Sequence, residues 1–248
     1  MTPWAHLPAL PIVLPLVTGA ALLLFPESQR RVRESIALLS TLAQLAVALG
    51  LMWLTTDAVP HVWHQGIGVY PISAWPAPYG IVLVVDRLSA LMVALSAILA
   101  LPALLYSVAR WERVGVHYLP LSQFLLMGLN GAFLTGDLFN LFVFFEVLLA
   151  ASYGLMLHGS GPARVKAGLQ YIVVNLVASL LFLTGLALVY GIGTLVTVFM
   201  SNDATAVVLT PAVLAATRAA RVRHPLPYLY GCAFIANAAS FVLPISNP

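Results

Sequence analysis

Apolar residues run along this chain in long blocks, interrupted by polar residues at nearly regular intervals. Eight blocks are long enough to cross a bilayer: about 7–25, 34–55, 87–109, 118–135, 138–157, 167–190, 194–217 and 226–245. A helix needs roughly twenty apolar residues to cover the ~30 Å hydrocarbon layer. The pattern therefore predicts an all-α, polytopic transmembrane helical bundle of about eight spans. One connection has a different rhythm. Between Thr56 and Asp86, the stretch "GVYPISAWPAPYGIVLVVD" sets β-branched runs against prolines, which predicts a short β-hairpin. It is expected on the outer surface between spans two and three, with Trp63, Tyr70 and Trp75 in the headgroup belt. Asp86 is placed to cap the third helix through its side-chain oxygen.

Charge then gives the spans a direction. Arg30, Arg31 and Arg33, then Arg110 and Arg113, then Arg164 and Lys166, and last Arg218, Arg221 and Arg223 fall in alternate connections. Positively charged loops stay on the cytoplasmic side, so the N-terminus is expected outside. No basic residue precedes the first span and no small-residue cleavage site follows it, so a removable signal peptide is not expected. Composition agrees: 61% of the 248 residues are hydrophobic and 8% are charged, against about 25% charged in a soluble domain. The net charge of +3 comes from these loops, so it is no nucleic-acid footprint.

Few residues offer chemistry outside the spans. The lone cysteine, Cys232, excludes a disulfide framework. His6, His61, His64, His117, His158 and His224 lie near segment ends or in loops without metal-ligand spacing, which suits interfacial anchoring. There is no Gly-rich phosphate loop, since Gly191 and Gly193 form too short a pattern, and no nucleophile constellation. Neither a cofactor nor an enzyme active site is expected.

The informative polar residues lie inside the spans. Glu146 is about nine residues into the fifth, roughly 13 Å deep at 1.5 Å per residue, near the midplane. An ionised carboxylate there costs at least ~2.5–3.5 kcal/mol on insertion scales. The neutral acid is therefore the resting form unless a cation or a water chain reaches it, and a group poised between those states suits proton passage. Helical geometry puts Ala150, Tyr153 and Gly154 on or beside its face, and Ala150 with Gly154 makes a small-residue patch that admits another helix. Asp137, roughly opposite on the wheel and at the helix start, reads as a cap. Asn175 and Ser179 share a face in span six, as do Gln123 and Asn130 in span four. Together with Lys166, which is expected to snorkel, these would line a hydrated path or simply join helices. Further on, "MSNDATA" places Ser201, Asn202 and Asp203 inside an apolar span, where they favour a break. Asn237, Ser240, Ser246 and Asn247 offer further polar groups, and a discontinuous helix of this kind can build an ion site.

Four stretches carry a family resemblance: "DRLSALM" at 86–92, "FLLMGLNGAFLTGD" at 124–137, "TGDLFNLFVFFEVLLAASYGLMLHG" at 135–159 and "RVKAGLQYIVVNLVASLLFLTGLALVYG" at 164–191. Over about residues 1–191 the chain resembles the D-type subunits of the Mrp/Pha-type multisubunit monovalent cation/proton antiporters. That family is similar in turn to the antiporter-like subunits of proton-pumping NADH:quinone oxidoreductase. The resemblance implies a multi-pass component of a bacterial inner-membrane complex that exchanges Na+ or K+ for protons. Its partners would be other antiporter subunits, with Glu146 as a principal proton-relay residue facing a lysine on segment seven. After Gly191 the sequence departs from that pattern. Residues 192–248, with their "SND" and "SNP" elements, resemble the arsenite-permease branch of ion transporters, and the expected seam lies within about Gly191–Thr197. The leading expectation is thus a truncated D-type subunit in which Glu146 faces Asp203 rather than lysine and stays protonated. The alternatives are an arsenite or anion permease-like fragment using Asn202 and Asp203, an antiporter-like component of a quinone oxidoreductase, or a scaffold that docks neighbouring subunits.

Overall fold

A backbone in hydrocarbon has no water to bond, so each apolar block must satisfy its own amides, and it does so as a helix. The computed structural model describes residues 3–56, 63, 66–72, 80–111, 117–159, 161–199, 210, 211, 213–215 and 218. A 3-10 segment at Pro3–Ala9 leads into α1 (Leu10–Leu24), and α2 follows (Arg30–Leu54). Helix α3 (Arg87–Tyr106) ends in a π-helical turn, Ser107–Trp111. Then come α4 (Tyr118–Leu134), α5 (Leu138–Leu157) and α6 (Pro162–Phe199). Five helices are long and apolar enough to cross a membrane, and α4 is a shorter apolar helix of 17 residues.

The chain separates into two compact units, residues 1–73 with 81–179 and residues 74–80 with 180–248. In the first, α4 packs mainly on α5 and α1, while α2 packs on α3 and α1. Small residues set the closest approaches. A Cβ on Gly128 of α4 would stand 2.7 Å from the backbone nitrogen of Leu148 on α5, and Gly131 is covered by the Phe144 ring. In the second unit, the described residues include the C-terminal half of α6, where Leu180, Leu181, Leu188 and Ile192 are exposed.

Two expectations need correction. First, the boundary between spans six and seven shifts: the break expected between 190 and 194 is absent, and the described residues hold six helices. Helix α6 runs unbroken through 38 residues, about 57 Å at 1.5 Å per residue. Gly191 and Gly193 each cost about 1 kcal/mol relative to alanine, which is too little to end a long apolar helix that contains no proline there. Residues 194–199, expected to open span seven, instead end α6. The rest of that span, apart from a few helical positions, lies outside the described residues. So do span eight, Ser201, Asn202, Asp203, Asn237, Ser240, Ser246 and Asn247.

Second, the hairpin is not simply laid on the outer surface. Strands β1 (Gly68–Pro71) and β2 (Val82–Val85) pair antiparallel, with Gly68 opposite Val85 and Pro71 opposite Val82. Alternation sends Leu83 and Val85 of β2 inward, where both are fully buried against Ile12, Leu51, Val93 and Leu134. The Gly136 amide donates to Val82 O at 2.9 Å, so the hairpin plugs the bundle end where α4 turns into α5. Outside, Tyr70 OH lies 2.9 Å from His6 Nδ1.

The basic connections gather at the other end. Arg30 bridges to Glu34 at 2.6 Å and donates to Val108 O at 3.0 Å, joining the start of α2 to the end of α3. The rings of Tyr118 and His158 meet edge to face with centroids 5.2 Å apart, and Arg164 donates to His158 O. Arg30 and Arg164, from the first and third basic clusters read from the sequence, thus stand at the end of the bundle opposite the hairpin.

Candidate functional site between α5 and α6

Asp137 starts α5 and a tight turn ends it. The Asp137 carboxylate accepts from the amides of Phe139 at 2.6 Å and Asn140 at 3.0 Å, which is the expected cap. At the far end Gly159 and Gly161 have φ of 85° and 118°, a region glycine enters without steric cost. Pro162 opens α6, where its missing N–H is no loss. So short a connection makes α5 and α6 antiparallel neighbours, and their register follows from it.

Two polar rungs join these helices. At the first, near the middle of α5, the Ser179 hydroxyl donates to Oε1 of Glu146. Glu146 is half-buried, and Ser179 replaces part of its lost hydration. A hydroxyl can donate to a carboxylate or accept from a carboxylic acid, so the contact serves both protonation states. At the second rung, toward the basic end, Ser152 Oγ lies 2.9 Å from Tyr171 OH. The rings of Tyr153 and Tyr171 meet edge to face, 5.6 Å apart. Asn175 stands on α6 between the rungs and donates to Tyr171 O at 2.8 Å. Of the expected small-residue patch, Gly154 seats against Leu121 of α4, while Ala150 is exposed.

The other intramembrane candidates belong elsewhere. Asn130 and Gln123 lie in a buried ladder between α1, α2 and α4. Asn130 Nδ2 donates to Pro11 O at 2.9 Å and to Gln44 Oε1 at 3.3 Å. Gln123 Oε1 accepts from Gln44 at 3.1 Å and Ser40 at 3.2 Å, and Ser40 accepts from Thr18 at 2.9 Å. Such bonds tie spans together. Lys166 is exposed near the start of α6. Among the described residues, no group of three His, Cys, Asp or Glu could hold a metal ion.

Asp137 therefore caps α5, and we propose that capping is its whole role. Asp137→Ala should lower stability by about 1 kcal/mol, while Asp137→Asn, which keeps a capping oxygen, should hold it near wild type. Thermal unfolding in detergent checks the pair. Lost ion exchange in a stable Asp137→Asn protein would contradict this assignment.

Sequence reasoning named Glu146, Asn175 and Ser179 but did not pair Glu146 with Ser179, and it left Ser152 and Tyr171 aside. The signal was the short turn: in an antiparallel pair residue numbers across the seam sum to a constant, and Glu146 with Ser179 nearly matches Ser152 with Tyr171.

Comparisons with known proteins relate the chain to antiporter subunits. Residues 135–218 match the family described as NADH:quinone oxidoreductase/Mrp antiporter, TM; that stretch holds all of α5 and α6 and crosses residues 191–197. The chain is 57% identical over 195 residues to a Rhizobium meliloti protein named as the probable D subunit of a K+/H+ antiporter, covering 77% of this chain and 35% of that one. It is 41% identical over 193 residues to the D subunit of an Na+/H+ antiporter from Alkalihalophilus pseudofirmus, covering 77% and 38%. Among solved structures, an Mrp complex from Dietzia sp. matches with a TM-score of 0.68 and 36% identity, over 77% of this chain and 35% of that one. The membrane-bound sulfane sulfur reductase, an archaeal respiratory membrane complex, matches with a TM-score of 0.66 and 25% identity, over 84% and 42%. The chain thus spans little more than a third of the curated relatives it matches. Over the matched part of its length, this multi-pass membrane chain is similar to the D subunits of cation/proton antiporters and to a chain of an Mrp complex.

Proposed function

We propose that this chain works as a membrane component of a multisubunit antiporter exchanging Na+ or K+ for protons, a secondary transporter and not an enzyme. It would act in the bacterial inner membrane beside the other antiporter subunits, with Glu146 as its proton-relay residue. One observation carries this reading: an acid sits near the middle of a 20-residue apolar helix, held by a hydroxyl that suits both its charged and its neutral form. Intramembrane acids that face protein mark ion and proton pathways. The names of the relatives, one K+/H+ and one Na+/H+, support the exchange chemistry and leave both cations as substrates. Lys166 is the only lysine in the sequence and stands at the basic end, so a lysine facing Glu146 would come from a neighbouring subunit or segment.

Everted vesicles that carry the chain with its partner subunits provide the test. Once respiration has acidified the lumen, added Na+ or K+ should dissipate the pH gradient, and the response should vanish in vesicles lacking only this chain. An undiminished response without it would remove the proposal.

A further inference from the structure

At the basic end of the first unit, an open cavity of about 750 Å³ carries five hydroxyl side chains, Tyr106 at the end of α3, Ser107 just after it, Tyr118 of α4, Ser152 of α5 and Tyr171 of α6, in a lining completed by the apolar Ala103, Leu155 and Met156. Water takes about 30 Å³ per molecule in the liquid, so the cavity has room for several beside its hydroxyls. The inner wall of the cavity is the 2.9 Å contact between Ser152 and Tyr171. Behind the wall, the Tyr153 ring packs on Tyr171, and its phenol lies within electrostatic reach of both Glu146 and Tyr171.

We propose that this cavity is a vestibule from which protons reach Glu146 through Tyr171, Ser152 and Tyr153. The inference rests on the reading of Glu146 as the proton-handling residue and supplies its access route. Seven residues separate Tyr153 from Glu146, about 10 Å along the helix. Long helical side chains lean toward the helix N-terminus, so the Tyr153 phenol reaches back toward the acid and shortens that gap. Asn175 stands between the rungs on α6 with its Nδ2 given to Tyr171 O, which leaves Oδ1 as an acceptor for a bridging water.

The chemistry balances at every step. A hydroxyl accepts a proton on a lone pair and releases its own from the other side, so each oxygen ends with one hydrogen and no net charge. Serine and tyrosine thus conduct protons without storing them, and Glu146, ending as the neutral acid, is the store. Tyr118 of the lining packs edge to face on the buried His158, a titratable neighbour of the vestibule among the described residues. By the positive-inside rule this end faces the cytoplasm.

A merely structural role for the Ser152–Tyr171 bond predicts a different outcome, because a bond that only ties two helices together would not govern proton access. The test uses the full chain in lipid and follows the carboxylic-acid carbonyl band of Glu146 by infrared spectroscopy, assigned by its loss in Glu146→Gln. On transfer from H2O to D2O that band should shift at least tenfold more slowly in the Ser152→Ala, Tyr171→Phe double variant than in wild type, with thermal stability nearly unchanged. A band that shifts at the wild-type rate in the double variant overturns the vestibule and leaves the role of Glu146 standing. Absence of any protonated Glu146 band in the wild type overturns both.

Discussion

Glu146→Gln is expected to abolish the cation-dependent proton flux to which this chain contributes, by about a hundredfold or more. A positioned proton carrier typically contributes 10²–10⁴-fold to a rate, and glutamine matches glutamate in size while holding no exchangeable acid proton. The substitution should leave the fold intact, because the Ser179 hydroxyl that donates to Glu146 can donate equally well to an amide carbonyl. Glutamine also never takes on the charge that would cost ~2.5–3.5 kcal/mol at that depth. Unchanged or higher thermal stability combined with lost exchange would therefore separate proton handling from packing. Glu146→Asp keeps the acid but withdraws it by one methylene from Ser179, and intermediate exchange is expected. Exchange by Glu146→Gln vesicles at the wild-type rate, followed by pH-gradient dissipation on adding Na+ or K+, would end the relay assignment.

The largest structural effect is expected at Gly128. A Cβ there would stand 2.7 Å from Leu148 N and 2.9 Å from Leu148 Cα, and these backbone atoms cannot rotate away. Overpacking a well-filled contact costs about 1–3 kcal/mol, so Gly128→Ala should fall in that range. Gly128→Leu should exceed it by forcing α4 and α5 apart, which lowers the yield of folded protein and the melting temperature in detergent. Because Leu148 is two residues beyond Glu146, the same displacement would also carry the acid away from Ser179. Gly50→Ala is the control. Its Cβ meets only Leu7 at an ordinary 3.5 Å, and alanine gains up to about 1 kcal/mol of helix propensity. Equal melting temperatures for wild type and Gly128→Leu would mean that the two helices do not depend on this contact.

Much of the architecture was legible in the sequence. The boundaries of α4 and α5 follow the apolar blocks closely, since in hydrocarbon a long run without charges has one way to satisfy its backbone. Asp86 and Asp137 were readable as caps because an acidic oxygen at a helix start has amides within reach; Asp86 accepts from Ser89 N at 2.7 Å, and its own amide donates to the Ser89 hydroxyl at 2.8 Å. The end of α6 was misread because glycines in an apolar run give weak local signals: Gly191 looks like a stop, yet the helix continues to Phe199.

Within the candidate site the division falls between depth and partnership. Sequence alone determined that an acid sits near the middle of a membrane span, because depth depends on counting residues from the helix start. It also placed Asn175 and Ser179 on one face, because that follows from a 3.6-residue period. Only the tertiary structure decided that Ser179 holds Glu146 and that Ser152 and Tyr171 close a cavity beyond it. It also removed Asn130 and Gln123 to a separate ladder with Gln44 and Ser40. The reason is geometric: a helix fixes which of its own residues share a face, but the partner of that face depends on how neighbouring helices pack.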